Sequence, residues 1–372
     1  MLKRIFTIAL FTGAGQLFVV FALKYISQNS SPEQVKAIGQ IDSLVLFIMN
    51  VIALGLQSSA MRNLALSNDW KEEYQQAQSA RVTMGLLLTV AAILAFVNPY
   101  YIIFLAAPIF GWNGDYALYA RGYPIAGSVI AFIRLLIPFS CLILAAYYQS
   151  EWLPMIYIAS FTIIYILSNF TISLILKTQL FFFPVIRSLR LYIESFYIGV
   201  VILSLYFIGL GLMLVLPYFY EDLVVAIAFL GLKFYVIFKG VLRIIHQAFI
   251  KEMADYEVCF KLDQIAGLIG LSFLFFISCF PNTFIGLFFG EKLIQYKAYF
   301  ILVAIAAFIY SLFSSLLIKA MLEKKDKLYA LTCLFSAFFT LLASILFSVF
   351  NEAVVYVGAS LILENCFLPQ AC

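Results

Sequence analysis

Long apolar runs separated by short polar segments dominate the pattern of this chain. Because the hydrocarbon core of a membrane is about 30 Å thick, a helix needs about 20 apolar residues to cross it, and eleven runs approach that length. They cover residues 5–23, 38–60, 82–97, 124–147, 152–176, 196–216, 223–238, 265–280, 298–318, 329–350 and 353–367. The runs are continuous instead of alternating, which excludes the strands of a membrane barrel. The pattern therefore predicts an all-α polytopic membrane protein.

The same order of pieces occurs in both halves of the chain. In the first half, an apolar run ends near Arg62 and is followed by a polar elbow, a further run, a proline and a short apolar piece. In the second half, the corresponding run ends near Arg243. Repeats in the same orientation are typical of transporters. We therefore predict two helical lobes, residues 1–190 and 191–372.

A twelfth helix, the sixth in chain order, is expected where the pattern is ambiguous. This segment is interrupted by Lys177, Pro184, Arg187 and Arg190. Lys and Arg in short loops favour the cytoplasmic side, and the basic loops of both halves share that side only if an even number of spans precedes Arg190. We therefore expect a short or broken helix within residues 169–186, which gives six helices to each lobe.

Composition agrees with a chain that is solvated by lipid. Hydrophobic residues make up 65% of the 372 residues and charged residues 11%, whereas soluble domains carry about 25% charged residues. The net charge of +4 does not point to nucleic acid, since the basic residues lie mainly in short loops. Lys3, Arg4, Arg62 and Lys71 place the N-terminus in the cytoplasm. The six cysteines have no metal-ligand spacing.

The order of these pieces resembles the Wzx-type polysaccharide flippases, in the wider superfamily that includes MurJ-like and MATE transporters. The resemblance is carried by Leu54-Gly-Leu-Gln-Ser-Ser-Ala-Met-Arg62, the elbow after residue 238, Phe280-Pro281 with Leu287-Phe-Phe-Gly290, and Val357-Gly-Ala-Ser360. It covers nearly the whole chain through short motifs.

This resemblance implies two six-helix lobes around a central cavity that opens alternately to each side of the bacterial inner membrane. It also implies a cargo of undecaprenyl-pyrophosphate-linked oligosaccharide, such as an O-antigen or other surface-polysaccharide repeat unit. The expected partners are this lipid-linked oligosaccharide and membrane lipids, with the polysaccharide polymerase machinery as a further candidate. Neither an enzymatic activity nor a cofactor is expected, apart from coupling to H⁺ or Na⁺.

Two cations lie deep inside predicted spans, Arg134 in the run 124–147 and Lys233 in the run 223–238. A charge at the centre of a bilayer costs about 2.5–3.5 kcal/mol on insertion scales, so each must face protein or water. One interpretation is a cavity cation that binds the pyrophosphate or acidic sugars of a cargo, where Arg can pair bidentately. The other is a structural cation bonded to a neighbouring helix.

A basic track follows Lys233 along the same span. Tyr235, Lys239, Arg243 and His246 recur at intervals of four, four and three residues, which places them on one helix face. The track could gather an anionic head group at the cytoplasmic mouth of a cavity. Alternatively, it could anchor the helix to lipid phosphates.

The span 38–60 carries a polar stripe, because Ser43, Asn50 and Gln57 are spaced seven residues apart. Such a stripe could bind sugar hydroxyls inside a wet cavity. Alternatively, its side chains could form hydrogen bonds with neighbouring helices.

Three acidic residues, Asp42, Glu194 and Glu364, lie near the ends of predicted spans. A solvated carboxylate is ordinary at such a position. If transport is ion-coupled, one of the three could bind H⁺ or Na⁺.

Two other functions remain open. A MATE-like, ion-coupled exporter of small organic molecules needs a deep acidic residue for its coupling ion, whereas the deep charges here are basic. A lipid-sugar processing enzyme needs a sizeable loop or convergent carboxylates outside the lipid, and polar loops here reach only about twenty residues. The pattern favours a flippase for an anionic cargo.

Overall fold

The computed structural model describes residues 2–248, 256–315 and 326–346, and all regular structure within them is helical. Nine helices in this part of the chain are long and apolar enough to cross a membrane, or ten if one bent pair forms a single span. The prediction of an all-α polytopic membrane protein is confirmed. The last predicted span, residues 353–367, lies outside the described residues.

The chain divides into two compact units. Unit 1 comprises Met1–Ala22 and Gln40–Leu203, and unit 2 comprises Leu23–Gly39 and Ser204–Cys372. The first two helices therefore each contribute residues to both units. The lobe boundaries expected from the sequence, 1–190 and 191–372, stay a prediction.

Unit 1 consists of helices joined by short turns and stretches of 3-10 helix. The helices are α1 (Leu2–Asn29, shared with unit 2), α2 (Pro32–Ala53, also shared), α3 (Leu56–Leu66), α4 (Trp70–Leu88), α5 (Ala107–Gly111), α6 (Asp115–Ala120), α7 (Pro124–Tyr147), α8 (Leu153–Leu176), α9 (Leu191–Glu194) and α10 (Phe196–Phe207, also shared). Helix α4 continues as 3-10 helix over Thr89–Phe96, and Pro99–Ala106 forms a second 3-10 stretch before α5.

Unit 2 contains α11 (Asp222–Ala248), α12 (Tyr256–Cys279), α13 (Pro281–Phe288), α14 (Lys297–Leu312) and α15 (Asp326–Leu346). Helix α14 lies close to α11 because Gly231 leaves space for Tyr299: a Cβ at Gly231 would lie 2.4 Å from the Tyr299 ring. The Tyr299 hydroxyl donates to the carbonyl of Ala228 at 2.9 Å. Small residues are commonly found where membrane helices approach closely.

The predicted span 38–60 is wrong as a single helix, because α2 ends at Ala53 and α3 starts at Leu56. Between them, Leu54 and Gly55 have positive φ angles of 28° and 78°. Glycine is required at the second position, since a Cβ there would lie 2.4 Å from the carbonyl oxygen of Ser195. The chain therefore turns where the hydrophobic pattern continues unchanged.

Side chains from α9 and the residue after it satisfy the carbonyls at this break. The Tyr192 hydroxyl donates to the carbonyl of Ile52 at 2.6 Å, and the Ser195 hydroxyl donates to that of Leu54 at 3.3 Å. A helix end inside a membrane protein needs such partners, because unsatisfied backbone groups are costly there. These bonds stabilise the break from a distant part of unit 1.

The short or broken helix expected within residues 169–186 is also wrong. Helix α8 runs unbroken to Leu176 and is followed by its C-cap Lys177, which has a φ of 53°. Residues 178–185 form no helix. Pro184 favours extended backbone before it and has no N–H to donate. The bent element lies later, where Ile186–Glu194 meets Phe196–Phe207 at 80°.

Candidate functional site

Arg134 of α7 is buried in unit 1, with only 5% of its surface exposed. Its Nη1 donates to Oδ2 of Asp115 at 3.0 Å, and its Nε donates to the hydroxyl of Ser168 at 2.8 Å. The guanidinium carbon lies 4.4 Å from the centroid of the Tyr165 ring, within the range of a cation–π contact. The charge of Arg134 is therefore balanced inside the unit, which favours the structural interpretation of this residue.

Asp115, the partner of Arg134, was not predicted from the sequence, because it belongs to a polar loop at the start of α6. The loop lies tightly against α4: a Cβ at Gly114 would lie 1.9 Å from the Tyr74 hydroxyl. The side chain of Asn113 accepts a hydrogen bond from the backbone N–H of Asp115 at 3.3 Å. Asp115 is thereby held where α7 and α8 present Arg134 and Ser168.

A larger set of buried and half-buried polar side chains surrounds this ion pair, and we call it the unit 1 polar network. Its members lie on or next to α4, α6, α7 and α8: Tyr74, Gln78, Arg81, Trp112, Asp115, Tyr116, Arg134, Ser168 and Asn169. Gln78 donates from Nε2 to the Tyr74 hydroxyl at 3.0 Å and to the carbonyl of Trp112 at 3.1 Å. Asn169 donates to the carbonyl of Ile109 at 2.9 Å.

Arg81 is the second guanidinium of the unit 1 polar network. It is 2% exposed, and its Nε donates to the carbonyl of Gly111 at 3.4 Å. Its guanidinium carbon lies 5.2 Å from the centroid of the Tyr116 ring. Burial raises the pKa of Tyr116 well above its ordinary value, and the nearby Arg81 opposes that shift only in part. The Tyr116 hydroxyl is therefore a neutral donor.

In unit 2, α11 carries the predicted cations Lys233 and Lys239. Lys233 lies near the middle of the helix and is 7% exposed. The Nζ of Lys239 lies 4.9 Å from the Tyr235 ring and 4.8 Å from the ring of Tyr310 in α14. The predicted adjacency of Tyr235 and Lys239 is confirmed, whereas the second ring was not predicted. The side chain of Arg243, in the same helix, lies outside the described residues.

The predicted polar stripe is only partly preserved. Ser43 is buried and Asn50 is half-buried on α2, but Gln57 lies on α3, beyond the break at Gly55. A seven-residue spacing aligns side chains only within a continuous helix. Gln57 therefore does not extend the stripe of Ser43 and Asn50 along one helix.

Asp42 differs most from its expected environment. Helix α2 begins at Pro32 instead of near residue 38, so Asp42 lies halfway along it and is 4% exposed. Its Oδ1 accepts a hydrogen bond from the hydroxyl of Tyr157 in α8 at 3.3 Å. The expectation of a solvated carboxylate near a span end is therefore wrong for Asp42. Glu194 is exposed at the end of α9, and Glu364 lies outside the described residues.

An apolar groove of about 770 Å³ opens on the surface of unit 2. It is lined by α12 and α13 through Ser272, Phe273, Phe276, Phe280, Thr283, Phe284, Leu287 and Phe288. None of the cations or acidic residues considered above lines it. Phe276, Phe280 and Leu287 are more than half exposed, as expected for a helix surface that faces hydrocarbon.

No protein-family model and no curated protein matches the chain. Solved structures do: a lipid II flippase MurJ in an inward closed conformation aligns with a TM-score of 0.71 and 14% identity, over 98% of this chain and 86% of that one. A MATE transporter in complex with MaD3S aligns with a TM-score of 0.54 and 13% identity, over 99% and 95% of the two chains. An outward-facing multidrug resistance MATE family transporter of the MOP superfamily aligns with a TM-score of 0.52 and 13% identity, over 99% and 94%.

At these identities the similarity concerns the fold. The chain shares the helical fold of the MurJ and MATE structures over nearly its whole length. Fold alone does not assign a substrate.

Proposed function

We propose that this chain is a transporter that moves an undecaprenyl-pyrophosphate-linked oligosaccharide, such as an O-antigen or other surface-polysaccharide repeat unit, across the bacterial inner membrane by alternating access. The observation that carries the proposal is the fold, which is shared with a lipid II flippase at a TM-score of 0.71 over 98% of the chain. That protein is a flippase for lipid II. A headgroup of this class is anionic, so the proposal requires cations that can contact it.

Within this proposal, the cargo-binding cations are Lys233, Lys239 and Arg243 of α11. Lys239 supports this role because its ammonium group lies over two tyrosine rings, those of Tyr235 and Tyr310. A cation on aromatic faces keeps most of its charge available to an anion. Ser43, Asn50 and Gln57 are proposed to contribute hydrogen bonds to sugar hydroxyls from two helices.

Arg134 has a different role in this proposal. Its charge is balanced by Asp115 at 3.0 Å and its Nε bonds to Ser168. Contact with a pyrophosphate would require separation of this ion pair, and a buried arginine that loses its partner costs several kcal/mol. We therefore assign Arg134 to holding α6, α7 and α8 together.

A second function, ion-coupled export of small organic molecules, is favoured by one specific observation. Asp42 is a buried acidic residue halfway along α2, and a deep carboxylate of this kind can bind H⁺ or Na⁺. Such an ion could equally drive flipping of a lipid-linked cargo. The two candidate functions, flippase and small-molecule exporter, therefore differ in their cargo and not in their coupling ion.

A clean deletion tests the proposed cargo. Loss of the protein should abolish the surface polysaccharide while lipid-linked repeat units accumulate on the cytoplasmic side, and the wild-type gene should restore both. Normal surface polysaccharide in a strain without a paralogue would contradict the proposal. Increased sensitivity to small organic cations, with normal polysaccharide, would favour the exporter.

A further inference from the structure

The unit 1 polar network contains more positive than negative charge. Arg81 and Arg134 contribute two guanidinium groups, and Asp115 contributes one carboxylate, which pairs with Arg134. Among the described residues, Arg81 has no carboxylate within ion-pair distance, although it is 2% exposed. An ion buried without a partner costs several kcal/mol, so the charge of Arg81 needs compensation.

Glu73 does not provide that compensation. It lies eight residues before Arg81 on the same helix, about 12 Å along the axis at 1.5 Å per residue. The hydrogen bond from Arg81 to the Gly111 carbonyl is long, at 3.4 Å. The contact with the Tyr116 ring, at 5.2 Å, supplies only the modest energy of a cation–π contact.

Several donors of the same network also lack a partner among the described residues. They are Nη1 of Arg81, Nη2 of Arg134, Nε1 of Trp112 and the hydroxyl of Tyr116, and each is buried from solvent. Buried donors are normally satisfied in folded proteins. Two of these four donors carry positive charge, which makes the set suitable for an anion.

We infer that a small inorganic anion of the size of chloride binds beside Arg81 within unit 1. The anion accepts a hydrogen bond from Nη1 of Arg81 and neutralises its charge. A cation is disfavoured, since it would add to a local charge that is already positive. A bulky organic anion is disfavoured because Arg81 and Tyr116 are almost fully enclosed, at 2% and 1% exposure.

Three acceptors of the unit 1 polar network also lack partners: Oε1 of Gln78, Oδ1 of Asp115 and Oδ1 of Asn169. A halide cannot donate to them. Water bound beside the anion can, because a buried water commonly makes about three hydrogen bonds to otherwise unsatisfied polar groups. The inferred site is therefore a hydrated anion and not a dry pocket. It is independent of the proposed cargo and would hold for any function of this chain.

The first test is thermal unfolding of the full-length, detergent-solubilised protein. Its Tm is compared between sodium chloride and sodium gluconate at equal ionic strength. A ligand that binds only the folded state raises Tm with a saturable dependence on its concentration. We expect chloride to raise Tm by about 2–4 °C over gluconate, which corresponds to about 1 kcal/mol in a large domain. No difference between the two salts would overturn the inference.

Two arginine variants locate the effect. Arg81→Met should abolish the chloride-dependent part of Tm. Arg121→Met is the matched control. Like Arg81, Arg121 lies over an aromatic ring, with its guanidinium carbon 4.8 Å from the centroid of Trp70, and it donates to a backbone carbonyl, that of Leu64, at 3.1 Å. Unlike Arg81, it is only half-buried. Arg121→Met should keep the full chloride effect. Loss of the effect in both variants, or in neither, would contradict a site at Arg81.

Bromide allows a measurement on the wild-type protein, so the result does not depend on whether a variant folds. Crystals of the wild-type protein grown with sodium bromide should show an anomalous peak within hydrogen-bond distance of the Arg81 guanidinium. Ordered water alone at that position, or bromide bound only elsewhere, would overturn the inference even if chloride stabilises the protein.

Discussion

The ion pair between buried Arg134 and half-buried Asp115 explains how this chain tolerates a guanidinium inside a membrane helix. Arg134 donates to Asp115 and to Ser168 and lies against the ring of Tyr165. These partners come from α6 and α8, so the pair joins three helices of unit 1. At the scale of single residues, each charge of the pair offsets the cost of burying the other, and the pair fixes how the three helices pack.

Breaking this pair should destabilise the protein more than removing it. Asp115→Leu should lower the unfolding free energy by about 3–5 kcal/mol, because it leaves the buried charge of Arg134 without a partner. Arg134→Met should cost less, because Asp115 is only half-buried. The double variant should recover a large part of that loss. Thermal or denaturant unfolding of the four proteins gives the coupling, with Arg121→Met as a half-buried arginine control. Losses that simply add in the double variant would contradict a coupled pair.

A second prediction concerns Lys239. Lys239→Met should reduce flipping of a lipid-linked cargo at least tenfold while Tm changes little, because the change removes the charge between Tyr235 and Tyr310 but retains an apolar stem. Lys239→Arg should retain most of the activity, since a guanidinium also stacks on aromatic rings. Lys292→Met, outside α11, serves as a control for loss of one positive charge. Full transport activity of the Lys239→Met variant would contradict the proposed role of Lys239 in cargo binding.

Asp42 should determine ion dependence in either proposed function. Asp42→Asn keeps the hydrogen bond from Tyr157 but removes the charge that can bind H⁺ or Na⁺. We expect transport by this variant to become independent of the ion gradient. Transport in vesicles with imposed H⁺ or Na⁺ gradients measures this directly, and an unchanged gradient dependence would exclude Asp42 as the coupling group.

Part of the site was predictable at the residue scale, and part was not. Arg134 and Lys233 are recognisable because charges are rare in apolar runs and must be buried or hydrated. Asp115 is not recognisable, because an aspartate in a polar loop has many possible partners and only the folded structure places it 3.0 Å from Arg134. Asp42 was misplaced because its helix starts earlier than the apolar run does.

At the scale of elements, the break between α2 and α3 is the feature that hydrophobicity could not predict. Leu54 and Gly55 continue an apolar run, and the groups that stabilise the break, Tyr192 and Ser195, lie about 140 residues away in the chain. The positions of the longer spans could be predicted, since each helix needs a sufficient apolar length. Local backbone turns depend on contacts between distant segments.

Gly55→Ala tests this break, and two other glycine variants serve as controls. Gly55→Ala should lower stability most, because it combines a φ of 78° with a Cβ 2.4 Å from the Ser195 carbonyl oxygen. Gly122→Ala has a φ of 84° but no atom within 4 Å of its Cβ, so it isolates the backbone cost of about 1–2 kcal/mol. Gly240→Ala lies in α11 with open space and should be neutral or stabilising by about 1 kcal/mol. Equal Tm values for the first two variants would contradict the close contact at Gly55.

At the scale of the whole molecule, topology can be tested with introduced cysteines. Positive-inside bias predicts that the start of α12 is cytoplasmic and that the loop between α1 and α2 is on the opposite side. Lys261 and Glu33 are exposed, whereas the native Cys259 is buried and unsuitable as a probe. In a background without other reactive thiols, Glu33→Cys should react with a membrane-impermeant reagent in intact cells, and Lys261→Cys only after permeabilisation. Labelling of both in intact cells would contradict the predicted orientation.

Fold and composition together indicate a multi-pass membrane protein with the architecture of the MurJ and MATE structures. The proposed function is distinguished from export of a small organic cation by the cargo that the protein moves. The measurement must therefore follow the cargo itself and not growth or stability.

The most direct test is flipping by the purified protein in sealed proteoliposomes that contain a fluorescent undecaprenyl-pyrophosphate-linked oligosaccharide. A membrane-impermeant quencher reports the fraction of headgroups in the outer leaflet over time. Wild-type protein should move the labelled lipid between leaflets at a rate well above that of empty liposomes, and Lys239→Met should reduce the rate at least tenfold. A rate equal to that of empty liposomes under imposed H⁺ and Na⁺ gradients, with the protein shown to be folded, would contradict the proposed function.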